Sequence, residues 1–172
     1  MVGIGFAGAE GHPLTPLAAV VADAGLHLVH HAGETAGPAS IREAIGVGRA
    51  ERIGHGIRAL EDTGLVAELR DRAIPLEVCP SSNVALGLVP TLAGHPLPAL
   101  RDAGLVVTLS TDVPAETGWS LTAEYAAVRE AHGWDDDALA RLARASVDAS
   151  FAPAPVRRGL HAGIDGWLAG PV

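Results

Sequence analysis

The recurrence of one short pattern constrains the fold of this chain more than any other feature. Apolar runs begin near residues 2, 26, 51, 75 and 105, and each leads through a polar loop into a helical pattern. A spacing of 24 to 30 residues between such runs predicts βα units and a parallel sheet covered by helices. Five units fit either an open doubly wound sheet or part of an eight-unit (β/α)₈ barrel.

The helices expected after these strands follow from apolar residues at helical spacing and from end signals. They are predicted at Leu14–Ala24, Ser40–Val47, Leu60–Ala73, His95–Ala103, Ser120–His132 and Asp135–Ser150. A last short helix is expected after Phe151, and a turn over Pro80–Asn83. Because no linker or low-complexity segment interrupts the pattern, residues 1–172 are predicted to form a single domain.

Composition and charge exclude several classes of function. The chain carries a net charge of −8, which disfavours nucleic acid and anionic membranes as partners because both select clustered basic residues. No apolar run approaches 18 residues without proline or charge, and no basic segment follows Met1, so neither a membrane span nor a signal peptide is predicted. The single cysteine, Cys79, excludes an internal disulfide and a cysteine-based zinc site, and it indicates a cytoplasmic protein.

Residues capable of catalysis follow four of the predicted strands. They are Gly8 with Glu10, His31 with Glu34, His55, and Asp112. Because βα loops gather at the carboxyl edge of a parallel sheet, we expect these side chains to share one face. His31 and Asp112 offer the nitrogen and oxygen atoms that zinc binds. Glu34 is suited to proton transfer, and His55 to orienting an attacking water. Gly33 allows the sharp turn that folds Glu34 back over such a site.

Other polar residues near the strand ends have ordinary structural explanations. His30 is expected to pack in the core or to support the neighbouring His31. His95 is expected at the surface or in a loop, and Glu124 is expected to have a structural role on a helix. The serines of the Pro80–Asn83 turn are more typical of turns than of a site. The role of Glu10 stays open between site and scaffold.

Six short motifs occur along the chain in one order and resemble those of the adenosine deaminase family. They are Gly3–Glu10 (GIGFAGAE), His31–Glu34 (HAGE), Arg52–Gly56 (RIGHG), Cys79–Asn83 (CPSSN), Ser110–Pro114 (STDVP) and Thr117–Tyr125 (TGWSLTAEY). The resemblance extends from the start of the chain to about Phe151. Each motif alone is weak, whereas HAGE, GHG and STD together are specific.

This resemblance implies a zinc-dependent (β/α)₈ barrel, of which the chain would supply strands four to eight. The implied reaction is hydrolysis of the exocyclic amine of an adenosine-like purine nucleoside, giving an inosine-type product and ammonia. By the same resemblance, His31 and Asp112 are zinc ligands, and Asp112 also aligns the hydroxide at the substrate. Glu34 would protonate a purine ring nitrogen, His55 would hold the hydroxide, and the Gly8 amide would contact another ring nitrogen.

One departure from the family concerns the metal. The His-x-His pair that gives two zinc ligands in the family is absent, because no two of the eight histidines are separated by one residue. The resemblance therefore implies that strands one to three are missing and that the domain is incomplete at its N-terminus. We expect zinc binding and activity of this chain alone to be weak or absent. We also expect association with a complementing N-terminal half or self-association, since a half-open barrel exposes sheet edges.

A second departure concerns the substrate. Val113 stands where the family usually has an aspartate that contacts the five-membered purine ring. Valine cannot replace that polar contact, at a cost of about 1–3 kcal/mol if its partner is left unpaired. An alternative substrate is an aminofutalosine-type adenosine derivative. The alternative to an enzyme is a non-catalytic deaminase-like remnant that binds a ligand or a partner.

Overall fold

The computed structural model describes residues 1–21 and 25–170. Its strands are β1 (Gly3–Phe6), β2 (His27–Ala32), β3 (Arg52–His55), β4 (Leu76–Val78) and β5 (Val107–Leu109). Its helices are α1 (Thr15–Val21), α2 (Pro38–Gly46), α3 (Thr63–Asp71), α4 (Pro80–Ala85), α5 (Leu97–Asp102), α6 (Pro114–Thr117), α7 (Leu121–His132), α8 (Asp136–Asp148) and α9 (Ala154–Ala169). Helices separate every pair of successive strands, which confirms the predicted α/β class. Among these described residues, no helix combines the length and the apolar character needed to cross a membrane.

Contacts divide the chain into two compact units. The first unit comprises Met1–Val78 and Pro96–Val106. The second comprises Cys79–His95 and Val107–Val172. The single domain expected for residues 1–172 stays a prediction.

A parallel sheet forms the centre of the first unit, with β1, β2, β3 and β4 adjacent in chain order. In its register, His31 lies opposite Gly54 and Ile53 lies opposite Leu76. Because all four strands run in the same direction, the residues that end β2 and β3 lie at the same carboxyl edge. The predicted arrangement of parallel strands is confirmed in this unit.

The core of the first unit lies between this sheet and its helices. Ile53 of β3 and Leu76 of β4 are fully buried, and so are Ile41 of α2 and Leu65 and Leu69 of α3. Leu65 and Leu69 are four residues apart and therefore share one face of their helix. Burial of each such side chain contributes about 1.5–3 kcal/mol to folding. This core fixes the strands whose ends carry the candidate residues.

The four described helices of the first unit, α1, α2, α3 and α5, differ from their predicted limits by one to three residues. The Asp62 carboxylate accepts the Leu65 amide at 3.0 Å and caps α3, so this helix begins at Thr63 rather than at Leu60. The residues before Asp62 form a separate 3₁₀ turn over Ala59–Glu61. Helix α1 begins at Thr15, one residue later than predicted. Residues 22–24, the end predicted for that helix, lie outside the described residues.

In the second unit, helix α8 packs against β5 and buries Leu139, Leu142 and Val147. The Asp135 carboxylate accepts the Ala138 amide, as the predicted cap of this helix requires. Two expectations were wrong. The predicted turn over Pro80–Asn83 is the start of helix α4, which proline at the first helical position favours. The helix expected to be short after Phe151 is α9, with 16 residues.

His95 was predicted at the surface or in a loop, and it lies in a loop, buried rather than at the surface. His95 is only 3% exposed, and its Nε2 lies 3.2 Å from the Oδ1 of Asn83, itself fully buried. Burial, assisted by the charge of His132, lowers the pKa of His95 from 6.5 to about 4. An apolar setting that disfavours the imidazolium ion explains the direction of this change. Helical periodicity alone could not reveal it, because His95 precedes the helix rather than opening it.

The lowered pKa predicts a pH dependence of stability. The unfolded chain would protonate His95 near pH 6.5 and the folded chain only near pH 4, so protonation favours unfolding. The free energy of unfolding should therefore decrease as the pH falls from 6.5 towards 4, by up to about 3 kcal/mol from this residue. Urea titrations at several pH values should show a smaller decrease for His95→Gln than for wild type. Equal pH dependence in the two proteins would contradict this account.

Candidate active site

Two imidazoles meet at the carboxyl edge of the first unit's sheet. His31 of β2 and His55 of β3 have ring centroids 5.0 Å apart with an edge-to-face geometry. Glycine at position 54 makes this possible, since a Cβ there would lie 3.0 Å from the His31 Nδ1. The neighbouring His30 points elsewhere, fully buried with its Nε2 2.7 Å from the Gly48 carbonyl oxygen, and this confirms its predicted packing role.

His55 holds an unusual backbone conformation. Its φ is +65°, in the left-handed region that side chains other than glycine seldom occupy. Such a conformation costs on the order of 1–3 kcal/mol and persists only where its surroundings enforce it. His55 is also buried, with its side chain only 2% exposed. Backbone strain at a buried polar residue that ends a strand is typical of a functional site.

Glu34 lies beside His55 in the same unit. Its Oε1 is 3.4 Å from the His55 Nδ1, and its side chain is only 13% exposed. The turn that brings it there passes through Gly33, whose φ is +70° and whose missing Cβ would collide with Ile41. The structure therefore brings His31, Glu34 and His55 together, and the geometry at Gly33 is as predicted.

The Glu10 carboxylate makes the most extensive set of polar contacts near this site. It accepts hydrogen bonds at 2.8–3.1 Å from four successive amides and one hydroxyl. These donors belong to Gly33, Glu34, Thr35, Ala36 and Ser40. Burial acts to raise the pKa of Glu10, but the hydrogen bonds outweigh it and the pKa is lowered. Sequence reasoning left this residue open because its partners lie 23–30 residues away.

A cavity of about 350 Å³ opens beside these residues. Its wall is formed by the loop that follows β1, by His31, and by the start of α2. Gly8 lines it with φ +131° and no atom within 4 Å of the position a Cβ would take, so its backbone faces open space. Ligand sites of this size hold small molecules such as a purine base. Of the described residues that line the cavity, Glu10 and Glu43 are carboxylates and none is lysine or arginine.

In the second unit, Asp112 follows β5 in a conformation like that of His55. Its φ is +63°, and its Oδ2 accepts a hydrogen bond from the Ser82 hydroxyl at 2.6 Å. Ser82 is buried on α4, so it orients this carboxylate rather than forming the predicted turn. In the sequence, only the Cys79–Asn83 motif that contains Ser82 pointed to this contact. Val113, the next residue, is 41% exposed.

The His31 imidazole of the first unit offers a nitrogen donor of the kind that zinc binds in proteins, and so does the neighbouring His55. The space that Gly54 leaves beside the His31 Nδ1 keeps that imidazole from being crowded by the opposite strand. Of the described residues that line the cavity, two carboxylates and no lysine or arginine accompany His31. The residues are therefore compatible with a bound divalent cation.

Comparisons with known proteins agree with this geometry. The family model described as adenosine deaminase matches residues 1–167. A putative adenosine/adenine deaminase of Streptomyces coelicolor is 47% identical over 150 residues, which are 87% of this chain and 44% of that protein. An aminodeoxyfutalosine deaminase of the same organism is also 47% identical, over 85% of this chain and 39% of its own length.

Among solved structures, the adenine deaminase from Arthrobacter aurescens matches with a TM-score of 0.94 and 36% identity. The match covers 99% of this chain and 53% of that structure. The fold expected from the motifs, part of a deaminase barrel, is thereby confirmed. The chain spans less than half the length of the curated relatives it matches.

The close approach at Gly54 predicts the effect of adding a single methyl group. Gly54→Ala would push a Cβ against the His31 imidazole and lower the free energy of unfolding by about 1–3 kcal/mol. Gly46→Ala is a matched control in α2, where a Cβ meets nothing within 4 Å and helix propensity predicts a gain of about 0.5–1 kcal/mol. Urea unfolding measures both values. Equal effects of the two substitutions would show that the His31 ring has room to move.

Proposed function

The chain belongs to the adenosine deaminase family. We propose that it carries the residues for proton transfer and water orientation of a zinc-dependent purine deaminase site. The reaction replaces the exocyclic amino group of a 6-aminopurine with oxygen: the purine and water give the 6-oxo product and ammonia. The observation that carries this proposal is the meeting of His31, His55 and Glu34 beside a cavity of purine size. A non-catalytic remnant would have no need of a strained, buried His55 next to a glutamate.

We propose His31 and Asp112 as ligands of the zinc ion. When bound, the ion would act as a Lewis acid that lowers the pKa of a water molecule. Ser82 supports this role of Asp112, since its hydroxyl fixes one carboxylate oxygen. The chain lacks the His-x-His pair of the family, so we propose weak zinc binding until other ligands are supplied.

Proton transfers are assigned to the remaining residues. Glu34 gives a proton to the purine ring nitrogen next to the carbon under attack, and His55 holds the attacking water through its imidazole. The 3.4 Å separation of Glu34 and His55 keeps the proposed acid next to the imidazole that holds the water. The Gly8 amide, on the cavity wall, donates to another ring nitrogen and orients the base.

The charges around the cavity favour a neutral substrate. Glu10 and Glu43 line it without a described lysine or arginine, so a phosphate group would meet carboxylates rather than cations. A purine base or nucleoside is therefore the proposed substrate rather than a nucleotide. An aminofutalosine-type nucleoside is the second candidate, favoured by the 47% identical aminodeoxyfutalosine deaminase and by Val113.

The experiment that tests this function supplies the rest of the barrel. The chain would be assayed with zinc, first alone and then mixed with the N-terminal part of the putative adenosine/adenine deaminase of Streptomyces coelicolor. Deamination of adenine, adenosine and aminodeoxyfutalosine would be measured as a loss of ultraviolet absorbance. We expect activity only in the mixture, and a decrease of kcat by about 10²–10⁴-fold for Glu34→Gln. A stable, zinc-loaded mixture without activity would favour the non-catalytic alternative.

The ligand assignment predicts which residues zinc binding requires. In the same mixture, His31→Ala and Asp112→Ala should each lower the zinc content after dialysis, because each removes a proposed ligand. His161→Ala is the matched control, since that imidazole lies 2.8 Å from Asp148 on the surface of the second unit. Metal analysis gives the zinc-to-protein ratio directly. Unchanged zinc in either ligand variant would refute that assignment.

A further inference from the structure

We propose that Glu10 is a positioning residue for Glu34. Its carboxylate binds the turn over residues 33–36 through the backbone and thereby determines where the Glu34 side chain meets His55. The catalytic meaning of this placement rests on the proposed function. The placement itself is a property of the first unit and can be measured without any reaction.

The contacts divide between the two oxygens of the carboxylate. Oε1 accepts the amides of Glu34 at 2.8 Å and Thr35 at 3.0 Å. Oε2 accepts the amides of Gly33 at 2.9 Å and Ala36 at 3.1 Å, together with the Ser40 hydroxyl at 2.9 Å. Successive amides that converge in this way form a concave anion-binding surface, which here holds a carboxylate of the same chain.

Other contacts hold the Gly33 amide and two carbonyl groups of this turn: the Gly33 amide also donates to the Ser40 hydroxyl at 2.8 Å, and Arg58 donates to the carbonyl oxygens of Gly33 at 3.0 Å and Thr35 at 2.9 Å. Residues 33–36 form bends rather than a helix or a strand, so no regular ladder binds their amides. Glu34 itself is bound through its own amide and through the amides on both sides of it. A backbone fixed on both sides leaves its side chain few directions, and the observed one ends 3.4 Å from His55. Glu10 thus acts on Glu34 through the backbone, without touching the reacting atoms.

An ionised carboxylate is the side chain that this role requires. It accepts hydrogen bonds at both oxygens, whereas a glutamine has one oxygen and one NH₂ group. In Glu10→Gln, the side-chain NH₂ group replaces one carboxylate oxygen in either orientation. It then faces two backbone N–H groups that are also donors, so those hydrogen bonds are lost. Bonds to a charged acceptor are also stronger than bonds to a neutral one. The substitution changes hardly any volume and therefore isolates the electrostatic contribution.

Glu51→Gln is a matched control. Glu51 belongs to the same unit and also accepts a backbone amide, that of Leu28 at 3.2 Å, but it precedes β3 at the opposite edge of the sheet. A general loss of stability from removing a carboxylate would appear in both variants. A loss confined to the 33–36 turn would appear only in Glu10→Gln.

The test combines amide hydrogen exchange with NMR of the His55 ring in the full chain. In Glu10→Gln, the amides of residues 33–36 should exchange about tenfold faster or more than in wild type. The His55 Hε1 resonance should move towards its position in Glu34→Gln, because both variants weaken the same contact. In the Glu34→Gln background, adding Glu10→Gln should move that resonance no further. Glu51→Gln should change neither measurement.

Two results would overturn the proposal. Unchanged exchange at residues 33–36 would show that Glu10 does not hold the turn, and faster exchange with a fixed His55 resonance would show that it does not position Glu34. Glu10→Asp keeps the charge with a side chain one methylene shorter and should give a smaller change in the same direction. If Glu10→Gln does not fold, Glu10→Asp decides by the same criteria. Neither readout depends on deaminase activity, so failure of the proposed function would leave this test intact.

Discussion

The register between β2 and β3 is the constraint on which the candidate site depends. It sets His31 opposite Gly54, and the next pair along, Ala32 and His55, ends the ladder. A shift of one residue would turn every side chain of one strand to the other face and would separate the two imidazoles. The buried Ile53 of β3 opposes such a shift, because the shift would bring its side chain out of the core and away from Leu76 opposite it on β4. Packing of ordinary aliphatic residues therefore keeps the chemically important pair in place.

Backbone conformation adds a second constraint, at residues that end or follow strands in each unit. His55 and Asp112 both have positive φ, and Gly33 and Gly56 occupy the same region where glycine does so without strain. The aliphatic core has to offset the cost of the two residues that are not glycine. The positive φ values lower the stability of the fold, but they set the direction in which the His55 imidazole and the Asp112 carboxylate leave the backbone.

Much of this site could be predicted from the sequence, because parallel strands bring residues that follow them to one edge. That rule was sufficient to group His31, Glu34 and His55, and the motifs were sufficient for the family, which the comparisons confirm. The rule fails where a partner is a backbone amide or a hydroxyl far along the chain. Glu10 and Ser82 were left open or misjudged for that reason. Local capping was equally hidden, since only the structure shows that Asp62 starts α3.

The contacts of Glu10 relate the wall of the cavity to the proposed acid. Gly8 and Glu10 belong to one loop, and the Glu10 carboxylate holds the amides around Glu34. A ligand oriented by the Gly8 amide would therefore be positioned by the same loop that positions the group proposed to protonate it. Proton transfer is sensitive to displacements of a few tenths of an ångström, so a shared anchor reduces independent motion of donor and acceptor. This coupling gives a physical reason for partly burying a carboxylate that takes no part in the chemistry.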